Sequence, residues 1–186
     1  MSSRKKPFAV GFIGRSGSGK TTLAEKVLAE LVRRGRRVSA IKDAHHGIDL
    51  DRPGKDTWRY REAGASRVIL RTAERWAVMS ETPEGPAPLA ELMELAGEAD
   101  IILIEGFKHE GSFPRIEVRR REAAKEPPLA ERGGLKNPPV AVATDFEEPG
   151  FEGIPRLSLN DPQAVADFIE DLMSGETARE IRHGSF

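Results

Sequence analysis

At residues 14–22 the chain reads Gly-Arg-Ser-Gly-Ser-Gly-Lys-Thr-Thr, directly after the apolar run Phe8–Ile13. This segment fits the pattern GxxxxGK(S/T), and the flanking residues predict a buried strand before it and an amphipathic helix after it. A glycine-rich turn brings several backbone N–H groups close to a polyphosphate, and the start of the helix adds partial positive charge. The pattern therefore predicts a strand–loop–helix unit that binds a nucleoside triphosphate.

Each part of this loop has a predicted role in holding phosphate. The glycines supply the turn, Lys20 reaches the β- and γ-phosphates and is a catalytic candidate, and the Thr21 hydroxyl ligates Mg²⁺. The predicted phosphate-binding residues are Gly14, Ser16, Gly17, Ser18, Gly19, Lys20, Thr21 and Thr22. A glycine-rich strand-to-helix turn with a chance lysine is the alternative, and the complete pattern with its flanks argues against it.

The rest of the chain alternates strands and helices. The predicted strands are Phe8–Ile13, Arg37–Ile41, Arg67–Leu70, Trp76–Met79, Ile101–Ile104, Ile116–Val118 and, as the last core strand, Val140–Ala143. The predicted helices are Thr21–Arg34, Asp56–Ala63, Leu89–Ala96 and Asp161–Met173. We therefore predict an α/β fold of the P-loop NTPase-like kind: a three-layer sandwich with a mainly parallel sheet flanked by helices, plus a β-hairpin excursion. The phosphate site should lie at the carboxyl ends of the strands.

Length and composition limit the possible functions. We predict a single domain over residues 1–175 and a flexible tail over 176–186. The chain has no cysteine, which excludes disulfides, thiolate metal sites and cysteine nucleophiles and fits a cytoplasmic protein. The net charge of −1 gives no reason to expect nucleic acid or a membrane as partner, and no segment is long and apolar enough to span a bilayer.

A carboxylate follows the apolar run Ile101–Ile104. Phosphate-loop proteins use an acidic residue at the tip of such a strand, usually Asp, to hold the water shell of Mg²⁺. Here the only residue available is Glu105, which could bind the metal through water or polarise an attacking water as a weak base. Glu105 is thus a candidate for catalysis and for the metal site, against the alternative of an ordinary carboxylate facing solvent.

The polar segment after the second predicted strand contains three further candidates. Asp43 could contact Mg²⁺ or its water, while His45 and His46 could contact an anionic ligand or a transition metal. Adjacent side chains on an extended backbone point to opposite faces, so the two histidines are not expected to ligate one ion. Contact with phosphate or a pterin is therefore favoured over metal ligation, and a solvated polar loop is the alternative.

A late aspartate provides a candidate for base recognition. Asp145 follows the strand Val140–Ala143, and its two carboxylate oxygens could accept both N1–H and N2–H₂ of guanine. Adenine lacks this pair of donors, so the contact would select GTP. A turn-forming aspartate is an equally reasonable interpretation.

Together these blocks resemble the family of molybdopterin-guanine dinucleotide biosynthesis adapter proteins, protein B of the bacterial pathway that adds GMP to the molybdenum cofactor. The resemblance rests on residues 14–22, 41–46, 49–56, 63–65, 75–82, 105–110 and 141–145 in this order. The blocks Pro53-Gly54-Lys55-Asp56 and Glu105-Gly106-Phe107-Lys108-His109 are specific, whereas the phosphate loop alone is generic. The family usually has His where this chain has Asp43, and the segment Arg119–Pro139 is longer and richer in proline than expected.

This resemblance implies a GTP-binding adapter that works with Mg²⁺ as a homodimer and is at most a slow GTPase. The implied partners are the guanylyltransferase that joins GMP to molybdopterin, and molybdopterin or its guanine dinucleotide. By position, Gly17, Gly19, Lys20 and Thr21 would hold phosphates and Mg²⁺. Glu105 would lie on the metal side and Asp145 would contact guanine.

Two other functions are compatible with the loop. A small-molecule kinase would need a base aimed at an acceptor hydroxyl and usually an arginine-bearing lid. A metal-delivery GTPase, like the urease and hydrogenase accessory proteins, would use Cys and His ligands, and the absence of cysteine counts against it.

Overall fold

The structure is a computed structural model that describes residues 6–44, 47, 50–132, 135–147, 150–151 and 153–175. The chain divides into a larger unit, made of the parts before Ala44 and from Met93 onward, and a smaller unit, Ala44–Leu92. The single domain predicted for residues 1–175 stays a prediction, and the predicted tail at 176–186 lies outside the described residues. Each unit is therefore described by itself.

The order of elements alternates strands with helices, as the sequence predicts. The strands are β1 (Phe8–Ile13), β2 (Val38–Lys42), β3 (Arg67–Arg71), β4 (Trp76–Ser80), β5 (Ile101–Glu105), β6 (Arg115–Arg119), β7 (Ala141–Thr144) and β8 (Arg156–Ser158). The helices are α1 (Lys20–Arg33), α2 (Asp56–Glu62), α3 (Leu89–Leu95) and α4 (Pro162–Ser174). No helix within the described residues has the length and apolar character needed to cross a membrane.

The larger unit is built on a six-stranded parallel sheet in the order β2-β5-β1-β6-β7-β8. Because all these strands run the same way, the segments that follow β1, β2, β5, β6 and β7 leave the sheet at one edge. The register sets Phe12 and Lys42 on either side of Glu105, so the ends of β1, β2 and β5 coincide at that edge. The predicted parallel sheet, with helices flanking it, is confirmed.

A buried apolar cluster holds the larger unit together. The first four residues of β5 are buried, which suits a central parallel strand covered on both faces. Leu23, Val27 and Leu31 repeat at helical spacing on α1 and are almost fully buried with Val165 and Ile169 of α4. Each such side chain contributes about 1.5–3 kcal/mol to folding on burial.

Ion pairs join α1 to α4. Arg34 donates to Glu30 on its own helix at 2.7 Å, and across the interface to Glu170 at 2.9 Å and to Asp167 at 2.5 Å. Hydrogen bonds from Arg33 and then from Arg34 lower the pKa of Glu30 to about 2. The charged groups of this interface are thus satisfied by one another.

The smaller unit contains the predicted hairpin. Strands β3 and β4 pair antiparallel from Arg67 opposite Ser80 to Arg71 opposite Trp76. Helix α2 lies against β3, and the Arg61 Nε donates to Glu81 at 2.8 Å. The hairpin excursion of the predicted fold is confirmed.

One strand is missing from the prediction, and most predicted element boundaries differ from the observed ones by one residue. The predicted last core strand is confirmed as β7, but a further edge strand without buried residues, β8, pairs with it through Val142 opposite Arg156. Strand β8 has three residues and a single apolar side chain, so no apolar run marks it in the sequence. Strand β6 begins at Arg115, one residue before its predicted start, and that arginine is 1% exposed.

Candidate nucleotide-binding site

The glycine-rich loop joins β1 to α1 at the edge where the parallel strands end. Gly19 is the N-cap of α1 and has the left-handed conformation, with φ of 89°, and within the described residues no side chain caps the helix. A Cβ on Gly14 would lie 2.5 Å from the Val118 carbonyl oxygen, so the loop packs too closely on β6 for a larger residue. The first N–H groups of α1 are therefore left for an anionic ligand.

Lys20 lies across the loop that precedes it. Its ammonium donates to the Arg15 carbonyl oxygen at 2.5 Å. Burial lowers the pKa of Lys20 and nearby Lys42 lowers it further, whereas Glu105 acts in the opposite direction. A bound phosphate would supply the negative charge that this ammonium lacks.

The remaining predicted loop residues differ in exposure. Ser16, Gly17, Thr21 and Thr22 are exposed, so their backbone and hydroxyl groups are accessible from solvent. Ser18 is 3% exposed, and its buried Oγ has no hydrogen-bond partner among the described residues. The same Oγ would lie 2.9 Å from a Cβ on Gly14, which places it on the packed side of the loop.

The two predicted magnesium ligands lie together. The Thr21 hydroxyl donates to the carboxylate of Glu105 at 2.9 and 3.0 Å, although 84 positions separate them in the chain. The Lys42 ammonium also reaches this pair, at 3.0 Å from the Thr21 Oγ1 and 3.1 Å from both Glu105 oxygens. The Lys42 ammonium therefore lies beside the Thr21 hydroxyl and the Glu105 carboxylate. Hydroxyl and carboxylate oxygens are ligands that suit Mg²⁺.

The sequence did not identify Lys42 as part of the site. The pairing of the strands would have identified it, because Lys42 lies opposite Glu105 once β2 and β5 are neighbours in register. Sequence order alone does not give that register, since the two strands are far apart in the chain.

Asp43 lies beside Glu105, directly after β2. Its backbone N–H donates to the Glu105 carbonyl oxygen at 2.9 Å, and a Cβ on Gly106 would lie 2.8 Å from the Asp43 Cβ. His45 and His46 lie outside the described residues. Among the residues that are described, no group of three or more His, Asp or Glu is arranged to hold a metal ion.

Asp145 lies at the end of β7, and one of its carboxylate oxygens already accepts a hydrogen bond. Its Oδ1 accepts a hydrogen bond from the Arg121 backbone N–H at 2.9 Å. This contact ties the end of β7 to the segment after β6. A role for Asp145 in recognising guanine stays a prediction.

Fold and site together define a class of protein. A parallel sheet in this strand order, with a glycine-rich loop opening α1 and a carboxylate at the end of the neighbouring strand, is the P-loop NTPase-like arrangement. Such folds bind nucleotides at this loop.

Comparison with known proteins narrows this class to one family. The family model described as molybdopterin guanine dinucleotide synthesis protein B matches residues 9–145. The chain is 44% identical over 164 residues to the molybdopterin-guanine dinucleotide biosynthesis adapter protein of Haemophilus influenzae, covering 87% of each chain. It is 38% identical to the protein of that name from Escherichia coli, covering 88% of this chain and 92% of that one. The chain belongs to the family of molybdopterin guanine dinucleotide synthesis protein B.

A solved relative confirms the fold. The crystal structure of Bacillus subtilis MobB aligns with a TM-score of 0.68 at 26% identity, over 88% of this chain and 96% of that one. The predicted P-loop NTPase-like fold is therefore confirmed.

Proposed function

We propose that this chain binds GTP and Mg²⁺ at the glycine-rich loop and serves as an adapter in the biosynthesis of molybdopterin guanine dinucleotide. The observation that supports this most is the contact of Thr21 with Glu105, at 2.9 Å, beside the uncapped start of α1. The family membership supplies the pathway.

In this proposal, the loop N–H groups and Lys20 hold the phosphates, while Thr21 and Glu105 hold Mg²⁺. The metal, when bound, would neutralise charge on the phosphates and fix their orientation. Asp43 lies on the same strand edge and would contact water around the metal. Asp145 would receive the guanine.

Hydrolysis of the bound GTP is proposed to be slow. The Glu105 carboxylate already accepts hydrogen bonds from Thr21 and Lys42, so its oxygens are occupied and are not free to take a proton from an attacking water. The protein would therefore hold GTP for a partner rather than turn it over rapidly.

The partner in this proposal is the guanylyltransferase that joins GMP to molybdopterin. The chain would work in the cytoplasm as a homodimer and would present GTP, or receive molybdopterin or its guanine dinucleotide. His45 and His46 are proposed ligand contacts on the basis of the sequence.

A binding experiment with both proteins tests this function. Tagged protein and the guanylyltransferase are mixed with no nucleotide, with GTP and Mg²⁺, or with ATP and Mg²⁺, and the retained transferase is measured. We expect GTP to increase retention and Lys20→Met to abolish that increase. Retention that is absent under every condition would contradict the adapter role. In a separate incubation with molybdopterin and labelled GTP or ATP, a phosphorylated molybdopterin product would favour a kinase instead.

A further inference from the structure

Three consecutive arginines leave β6 next to the glycine-rich loop and have three different environments. Arg119 is 4% exposed, and it contacts Glu117 at 3.4 Å and the Glu126 carbonyl oxygen at 2.9 Å. The Arg121 guanidinium lies 5.3 Å from the centre of the Phe146 ring. Arg120, between them, points to the loop.

The Arg120 guanidinium lies directly against Gly19. A Cβ built on Gly19 would be 3.2 Å from the Arg120 Nη2 and 3.5 Å from its Cζ and Nε. Gly19 is the residue before Lys20 and is the N-cap of α1. The guanidinium therefore lies beside the start of α1, where backbone N–H groups are predicted to hold phosphate.

Arg120 also has unused hydrogen-bonding capacity. Its Nε is buried without a partner, and within the described residues its guanidinium forms no ion pair. The adjacent Arg119 differs, because it contacts Glu117 and the Glu126 carbonyl oxygen. A buried guanidinium N–H without an acceptor is unfavourable, and the planar fork of donors matches phosphate oxygens.

The segment that carries Arg120 is held in place by buried contacts. Glu117 is fully buried on β6 and accepts a hydrogen bond from the Leu129 backbone N–H at 2.9 Å. The Arg121 N–H bonds to Asp145, and Arg15 of the loop pairs with Glu126. These contacts fix both sides of Arg120, so that its guanidinium is positioned before a ligand arrives.

We propose that Arg120 donates hydrogen bonds to the phosphate chain of the nucleotide bound at the loop. It acts as a second cation beside Lys20, supplied by this chain itself rather than by a partner protein. This inference rests on the proposed nucleotide site and adds to it a binding residue that the GxxxxGK(S/T) pattern does not contain.

Titration calorimetry with GTP and GDP tests the inference on Arg120→Ala, Arg120→Lys and Arg120→Gln. The matched control is Arg121→Ala, which removes the adjacent guanidinium but keeps the backbone N–H that bonds to Asp145. We expect Arg120→Ala to weaken both nucleotides about 10- to 100-fold. Arg120→Lys should bind more tightly than Arg120→Gln, and the control should stay within about 2-fold of the unaltered protein.

Each outcome separates this inference from the proposed function. If the unaltered protein binds no nucleotide, both fail. If it binds GTP and Lys20→Met does not, yet Arg120→Ala binds as tightly as the unaltered protein, only the role of Arg120 is wrong. A structural role would lower the melting temperature of the nucleotide-free protein and weaken the Lys and Gln variants equally, which would also overturn the inference. Should the alanine variant not fold, the order of the Lys and Gln variants decides.

Discussion

Two positively charged regions of the larger unit differ in how their charge is balanced. Between α1 and α4, Arg34 is met by carboxylates from both helices, at 2.5–2.9 Å. At the carboxyl edge of the sheet, Lys20 donates to a carbonyl oxygen, and Lys42 shares one carboxylate with Thr21. Balanced charge serves the fold, whereas unbalanced charge marks a place for an anion.

We expect replacement of Lys20 to have the largest effect on GTP binding. We expect Lys20→Met to weaken GTP binding more than 100-fold, since it removes the ammonium that reaches the phosphates. The melting temperature of the nucleotide-free protein should be unchanged or higher, because burial lowers the pKa of Lys20 and so disfavours its charged form in the fold. Calorimetry and thermal unfolding measure the two effects, and a large loss of stability would contradict the assignment of Lys20 to binding.

Glu105→Gln tests the metal side of the same edge. It keeps the shape of the side chain but removes its charge, so we expect GTP affinity in the presence of Mg²⁺ to fall about 10-fold. Affinity in EDTA should change little. Glu122→Gln, an exposed carboxylate on the segment after β6, is the control and should behave as the unaltered protein. An equal loss with and without Mg²⁺ would exclude a role for Glu105 at the metal.

Arg34→Met tests the contribution of the balanced charges between α1 and α4 to stability. It removes the cation that joins Glu30 to Glu170, and we expect the free energy of unfolding to fall by about 1–2 kcal/mol, since the group is partly exposed. Arg33→Met, whose side chain is 68% exposed, should cost less. Urea denaturation gives both values, and GTP affinity should be unchanged in either variant.

The pH dependence should differ between the two regions. The folded-state pKa of Glu30 is lowered to about 2, so its stabilising contribution is present above about pH 4.5 and is lost as pH falls toward 2. Urea unfolding at several pH values should show this loss, and Glu30→Gln should reduce its slope. An unaltered slope in that variant would place the acid sensitivity elsewhere.

At the loop, the expected loss occurs toward high pH instead of low pH. The pKa of Lys20 lies below its usual value of 10.5, so its charge is lost earlier as pH rises. GTP affinity should therefore fall a few-fold toward alkaline pH, and Lys20→Arg should shift this decline to higher pH. Affinity that rises with pH would contradict a charged Lys20 in the complex.

The sequence predicts features that depend on neighbouring residues better than features that depend on contacts between distant residues. The loop, α1 and the buried strands follow from local pattern, because glycine spacing and apolar periodicity are properties of neighbouring residues. The contact of Thr21 with Glu105 follows from placing the start of α1, after the loop that leaves β1, at the same sheet edge as the end of β5. That contact is present at 2.9 Å, whereas the roles predicted for the two residues stay predictions.

What the sequence did not reveal depends on contacts across long separations. Lys42 joins the site through the register of β2 and β5, and Arg120 through the packing of the loop against β6. Both are charged residues that a local analysis assigns to solvent. Strand β8 is missed for a different reason, since a short edge strand can form through backbone pairing with little apolar sequence.

Titration of the protein with GTP, in the presence and absence of Mg²⁺, tests the central claim most directly. We expect one GTP bound per chain with a dissociation constant on the order of micromolar, weakened at least about 10-fold when Mg²⁺ is removed. No binding at millimolar GTP, or binding that is indifferent to Mg²⁺, would contradict the site formed by the loop, Thr21 and Glu105.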